Sequence, residues 1–152
     1  MSSGLDAHLY YLIERTSRTL NRLYEPRCGA LSLTPNDMLI MDALYERDGV
    51  TASFLADKLG FEATTMVRII GRMLRAGLLE RIDDPSDKRA QRLFLRKEAR
   101  RQIKTWLSEA EKLNDEVTNR LTDEERETFT SLLAKLDVLP LAKSAHGHSG
   151  KG

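Results

Sequence analysis

Two runs in this chain fit strands, LLERI (Leu78 to Ile82) and QRLFL (Gln91 to Leu95). Between them lies DDPSDKRA, a polar turn with a proline and charges of both signs. The other patterned segments have helical spacing. A mainly helical chain that interrupts itself for a hairpin holds a charged loop out on a two-stranded ribbon. Such a ribbon is either a solvated hairpin or a device that reaches something anionic, and the flanking segments decide between the two.

Leu5, Leu9, Leu12, Ile13, Leu20 and Leu23 recur at helical intervals, so Leu5 to about Tyr24 reads as a long amphipathic helix that Pro26 and Gly29 end. Thr34-Pro35 supplies an N-cap and a proline at the first helical position, with Asp37 as the acidic half of a capping pattern. The second helix then runs from Pro35 to about Glu46, with Met38, Leu39, Met41 and Leu44 inward. Thr51 starts a short third helix stopped by Gly60, and Phe61 to Ala76 forms a fourth, stopped by Gly77. The fourth places Met66, Val67, Ile69, Ile70, Met73 and Leu74 on a broad apolar face, and Arg68, Arg72 and Arg75 on the other. After the hairpin, Lys97 to about Leu121 is a fifth helix. Thr122 with Glu125 makes a capping box for a sixth, which runs to about Leu139. The tail from residue 140 is small, polar and glycine-rich, a composition that predicts disorder.

Length and composition bound the function classes. A chain of 152 residues, 41% hydrophobic and 31% charged, fits one soluble globular domain. No apolar run approaches the roughly 20 residues of a membrane span, and the N-terminus MSSGLDAH lacks the pattern of a secretory signal, so a cytoplasmic location is expected. The single cysteine, Cys28, makes no internal disulfide. No nucleophile elbow, phosphate-binding glycine loop or HExxH motif is present, so no enzyme is expected. No compact metal-ligand cluster appears in the body of the chain either, and neither metal nor cofactor is expected. Net charge is +1, but residues 62–101 carry eleven Lys/Arg against six Asp/Glu while the rest of the chain is net negative. That sector is either a surface for a polyanion or an ordinary charged face.

Two short helices separated by a glycine, then a basic helix, then a hairpin is the order of a winged helix-turn-helix. A helix fits the major groove of DNA, and a ribbon lies along the backbone or enters the adjacent minor groove. Arg68 and its basic neighbours reach phosphates or guanine edges from the exposed helical face, and Thr64 and Thr65 near the helix start approach phosphates or bases closely.

The stretch LTPND, followed by LADKLGFEATTMVRIIGRMLRAGLLERIDDPSDKRAQRLFL, resembles the MarR (multiple antibiotic resistance regulator) family of bacterial transcription factors. The resemblance covers roughly Leu31 to Leu95 in specific motifs, above all GLLER followed by Asp84-Pro85-Ser86-Asp87-Lys88-Arg89. It extends to nearly the whole chain in helix order. It implies a mainly α winged helix-turn-helix with a small β-hairpin wing and N- and C-terminal dimerisation helices. The divisions would be residues 1–30, 31–96, 97–139 and the tail 140–152, in one intertwined domain.

It also implies a homodimer that straddles a pseudo-palindromic duplex. The long apolar-striped end helices agree, although a larger monomer core would use them too. By the resemblance, Thr65 is a recognition-helix hydroxyl, Arg68 a groove contact, Arg72 a basic position near phosphates and Arg89 the wing-tip arginine for the minor groove. Asp87 is the acid that orients Arg89, and Lys88 is a candidate phosphate contact. Three departures stand out: Glu62 at the recognition helix cap, Val67 where serine or threonine is common, and LRKEARRQI after the second strand.

Members of the family often act as repressors that release DNA on binding a small aromatic acid or phenol. Tyr11, Arg15, Met38, Met41 and Trp106 are candidate pocket residues by position; the same set also fits plain core. Cys28 lies in an expected loop beside Arg27, an arrangement that lowers a thiol pKa and would suit a redox-responsive regulator; an incidental cysteine fits as well. A winged helix that serves only as a protein-interaction module is the remaining alternative.

Overall fold

The computed structural model describes residue 4, residues 8–87 and residues 89–137. Along them run α1 (Leu9–Gly29), α2 (Pro35–Glu46), α3 (Ala52–Leu59), α4 (Ala63–Arg75), β1 (Leu79–Asp83), β2 (Gln91–Leu95), α5 (Lys97–Thr118) and α6 (Asp123–Asp137). The chain divides into two compact units, residues up to Asn114 and residues from Asp115. Mainly helical content with one antiparallel hairpin is the expected architecture. The expected tail, and the first helix's start at Leu5, lie outside the described residues.

The first helix departs from expectation at its end. It does not stop near Tyr24 but carries Pro26 inside it and continues to Gly29. Proline lacks an N–H and crowds the carbonyl one turn back. Here that happens in the last turn, where the helix continues because the Pro26 carbonyl still accepts from Ala30 (3.1 Å). The chain then turns at Leu31 and Ser32, with the Leu33 N–H returning to the Cys28 carbonyl at 3.0 Å. Cys28 and Leu33 are both buried.

The next two helices start where their caps say, while α4 starts at Ala63 and not at the expected Phe61. Thr34 and Asp37 form a reciprocal capping box on α2, the Thr34 N–H donating to Asp37 Oδ2 at 2.8 Å and the Asp37 N–H to Thr34 Oγ1 at 3.2 Å. Thr51 Oγ1 accepts from the Phe54 N–H on α3. Glu62 opens α4 with no side-chain cap hydrogen bond, as expected of a glutamate there. On α2 the inward set is Met38, Ile40, Met41 and Leu44; Leu39, expected inward, is 49% exposed. Ile40 takes its place because α2 is covered on more than one side, so its apolar residues do not follow a single stripe.

The end of α4 sets the hairpin's origin. Gly77 adopts φ 72°, the left-handed region that costs other residues a Cβ clash. Around it the Leu78 N–H bonds the Met73 carbonyl (3.0 Å) and the Gly77 N–H bonds the Leu74 carbonyl (3.1 Å), a Schellman closure that turns the chain directly into β1. The strands pair antiparallel with Leu79 opposite Leu95 and Asp83 opposite Gln91. Leu79, Leu93 and Leu95 are buried and the residues from Glu80 to Asp83 are exposed, so the ribbon's root is in the core and its outer half is in solvent.

A two-stranded ribbon is marginal by itself; this one is tied at its root to the turn between α2 and α3. The Gly49 N–H donates to the Leu93 carbonyl and the Leu93 N–H to the Val50 carbonyl, each at 2.9 Å. Asp48 completes the junction, accepting from the Leu95 N–H at 3.1 Å and from the Arg100 guanidinium of α5. The buried core draws on α2, α3, α4, both strands and α5, with Ile103, Trp106 and Leu113 from the last; the Trp106 ring meets Tyr24 of α1 at 6.0 Å between centroids.

Gly49 has φ 73°, and a Cβ there would come within 3.1 Å of the Phe94 ring. Gly49→Ala is therefore expected to destabilise the fold by about 1–2 kcal/mol, measured by chemical denaturation. An unchanged midpoint would show that the junction tolerates a side chain.

Candidate nucleic-acid interface

Helix α4 is fixed from behind and bare in front. Met66, Ile69, Ile70 and Met73 are buried along its inner face. At 100° per residue, Thr64, Arg68 and Arg75 fall opposite that face, with Val67 and Gly71 to one side and Thr65 and Arg72 to the other. Thr64, Arg68 and Arg75 are exposed, and Thr65 is half-buried. Val67, expected among the apolar face, is 62% exposed instead; it lies about 100° from Met66, beyond the edge of the packed stripe.

The three arginines differ in what holds them. Arg72 makes a two-pronged pair with Asp37, Nη2 to Oδ1 at 2.5 Å and Nη1 to Oδ2 at 3.0 Å. Asp37 is completely buried, so its charge is satisfied by this guanidinium together with the Thr34 N–H and hydroxyl. The expected basic position at Arg72 is thus spent largely on docking α4 against the head of α2. Arg68 and Arg75 form no ion pair with any described residue and are exposed.

The wing is built on a buried carboxylate that sequence reasoning passed over. Asp84 is 5% exposed. Its Oδ1 accepts from the Ser86 N–H (2.8 Å) and hydroxyl (2.6 Å), and its Oδ2 from Arg92 Nε at 2.5 Å. Arg92 Nη1 donates onward to the Gly49 carbonyl at 2.8 Å. These bonds hold the Asp84 carboxyl down to about 2 from its ordinary 3.8, the Ser86 hydroxyl and N–H contributing most and the Arg92 guanidinium the rest. The only signal in the chain was the Asp-Pro-Ser turn chemistry, which predicts a turn but not its burial.

At the tip, Asp87 Oδ1 accepts from the backbone N–H of Arg89 at 2.9 Å, and its carbonyl from the Ala90 N–H at 2.9 Å. Asp87 therefore acts on Arg89 through the main chain, leaving the exposed Arg89 side chain outward. Lys88 lies outside the described residues.

A second feature adjoins α4. A cleft of about 590 Å³ is lined by Asn21 and Glu25 of α1, Thr34 and Asn36 at the head of α2, and Arg68, Ile69 and Arg72 of α4. The five residues expected to form an effector pocket do not line it. Met38, Met41 and Trp106 are buried in the core, and Tyr11 and Arg15 lie further toward the start of α1. Position along the chain suggested those five, but helix packing turned three of them inward.

Comparison with known proteins agrees with this geometry. Residues 31–90 match the family model described as the MarR family, the span from the head of α2 to the wing tip. Over that span the chain is similar to the MarR family.

Among curated relatives, the HTH-type transcriptional regulator YsmB of Bacillus subtilis is 28% identical over 129 residues, 85% of this chain and 84% of that one. Among solved structures, the PcaV transcriptional regulator from Streptomyces coelicolor in complex with its natural ligand has a TM-score of 0.79 at 21% identity, covering 90% of this chain and 96% of its own. A mutant MarR from E. coli complexed with operator DNA has a TM-score of 0.76 at 24% identity, covering 84% and 92%. At such identities the structures establish the winged helix-turn-helix fold.

Cys28 is not a loop cysteine. It sits in the last turn of α1, fully buried. Burial and then the Asp37 charge push its thiol up from 9.0 to about 11, the reverse of what proximity to Arg27 suggested. A protonated, inaccessible thiol is the wrong chemistry for an oxidant sensor.

The depressed Asp84 carboxyl sets a pH window. A carboxylate held below its unfolded value contributes stability in full above pH about 3.8, and that contribution is lost as pH falls through about 2. The Ser86 amide, followed by NMR, is expected to titrate with a midpoint near 2. A midpoint near 4 would mean that the wing anchor is not formed in solution.

Proposed function

We propose that this chain is a sequence-specific double-stranded DNA-binding transcriptional regulator, a repressor that binds a pseudo-palindromic operator as a homodimer and is released by a small-molecule effector. The observation that carries the DNA reading is the outward face of α4, where Arg68 and Arg75 have no ion-pair partner among the described residues on a helix packed from behind, beside a wing that presents Arg89. Arg68 is placed for a groove contact, Thr64, Thr65 and Arg75 for phosphates or base edges, and Arg89 for the minor groove, with Asp87 setting its backbone and Lys88 beside it. Arg72 supports the helix through Asp37 and contributes its positive field. The complex of MarR with operator DNA, on the same fold, supports this reading.

Homodimerisation is supported by apolar faces that each helix leaves uncovered. Leu9, Tyr10, Leu12 and Ile13 are exposed on α1. On α6, Phe129, Leu132, Leu133 and Leu136 are exposed, and no residue of that helix is buried. A two-fold partner is the commonest way to cover such stripes. Release by an effector is supported by the cleft beside α4. Arg68 lines it as well as facing outward, so an aromatic acid or phenol that draws Arg68 inward removes it from the groove. A relative of the same fold, PcaV, has been seen with its natural ligand.

Selection of bound duplexes from a random pool, with affinity followed against salt, tests the reading. An inverted repeat with steep salt dependence is expected. Arg89→Ala should weaken binding across many sequences and lower the salt slope by about one, and Arg68→Ala should cost about 1–3 kcal/mol and relax sequence preference. Unchanged binding in both variants, with fold and dimer intact, would refute the site. No enriched sequence and a flat salt response would instead favour a protein-interaction module. For the dimer, Phe129→Asp combined with Leu132→Asp is expected to halve the mass seen by sedimentation; a wild-type protein already monomeric at micromolar concentration would remove that part of the proposal.

A further inference from the structure

We infer that Val67 reads the 5-methyl group of a thymine in the major groove, within about one or two base pairs of the base pair addressed by Arg68. The inference rests on the DNA reading above and adds a base identity to it. Val67 is 62% exposed on the middle of α4. The core has no use for it: Met66, Ile69, Ile70 and Met73 already fill the inner face. Its helical neighbours are Ala63 and Thr64 before it and Ile70 and Gly71 after it, with Arg68 next to it, so it is an exposed apolar group where the packed face gives way to the polar, basic one.

A β-branched residue is a poor choice for an exposed helical position on propensity alone. It has one compensating property, a nearly fixed χ1 in helices, so its two methyls point in one direction without an entropy cost on binding. Gly71 adds no side chain to the adjoining surface. A Cβ built there would meet only Arg75 Nη1, at 3.6 Å, the end of a long side chain, so the protein's own packing does not demand a glycine, and a base edge would fit beside Val67 once that guanidinium turns to the duplex.

Thymine's C5-methyl is the one apolar group that a major-groove edge offers. Against any other base, Val67 would cover a donor or acceptor without replacing its hydrogen bond with water. Val67 therefore favours thymine by contact and disfavours the alternatives by desolvation, while Arg68 on the adjoining ridge suits guanine O6 and N7.

The test uses the full-length protein and the operator duplex recovered by selection. Deoxyuridine replaces each thymine of a half-site in turn, removing only the methyl. One position in each half-site is expected to lose affinity by about fourfold, the worth of one buried methyl. In Val67→Ser, with helicity checked by circular dichroism, thymine and deoxyuridine at that position should bind alike. Specific binding that ignores every thymine methyl, or a Val67→Ser protein that keeps the same methyl sensitivity, would overturn this inference and leave the DNA reading standing. A folded protein that selects no duplex would overturn both.

Discussion

A carboxylate with no exposure to solvent has to be neutralised where it sits, and Asp37 organises the α2–α4 side of this chain around that requirement. One side chain closes the N-terminus of α2 through Thr34 and grips α4 through Arg72. The angle between the two helices is therefore fixed by a planar, two-pronged bond as well as by methionine and isoleucine packing, which is more tolerant of sliding. Everything α4 presents outward inherits its position from that bond. Removing the arginine would do more than subtract a charge from the surface, since it would strand a buried one.

The same logic recurs twice at the hairpin. Asp84 with Arg92, and Asp48 with Arg100, join segments more than 40 residues apart or span the ribbon's own width. In each case an arginine from the basic sector is used internally. The excess of positive charge over residues 62–101 thus contains two populations. Arg72, Arg92 and Arg100 act as struts, while Arg68, Arg75 and Arg89 have no ion-pair partner among the described residues and project into solvent. A count of charges along the chain mixes them, and only the three-dimensional pairing separates support from surface.

This division also explains what was legible beforehand. Caps and stops act through neighbours three or four residues away, so Thr34, Thr51, Gly60, Gly77 and the Thr122–Glu125 box placed helix starts and ends correctly. The hairpin followed from two short apolar runs around a proline turn. Features set by distant partners were not legible. Nothing local says that Asp37 and Arg72, 35 residues apart, will meet, or that Asp84 will be buried. The same holds for Leu39 and Val67, apolar residues left in solvent, and for Cys28, whose helix runs through Pro26 and carries the thiol into the core. The effector candidates do not line the cleft beside α4 for a related reason: helical spacing tells which residues share a stripe, but not whether that stripe faces a cleft or a packed interior.

Helix α6 holds a separate lesson. Its fifteen residues, Asp123–Asp137, bury none of their own side chains within the chain that carries them. A segment of that length is marginal as an isolated helix in water, so its persistence depends on whatever arrives to cover Phe129, Leu132, Leu133 and Leu136. Where stability is supplied from outside the chain it obeys mass action. With the proposed second copy as that cover, the fraction of chains with an ordered α6 becomes a function of how many copies a cell holds, and dilution alone would loosen it.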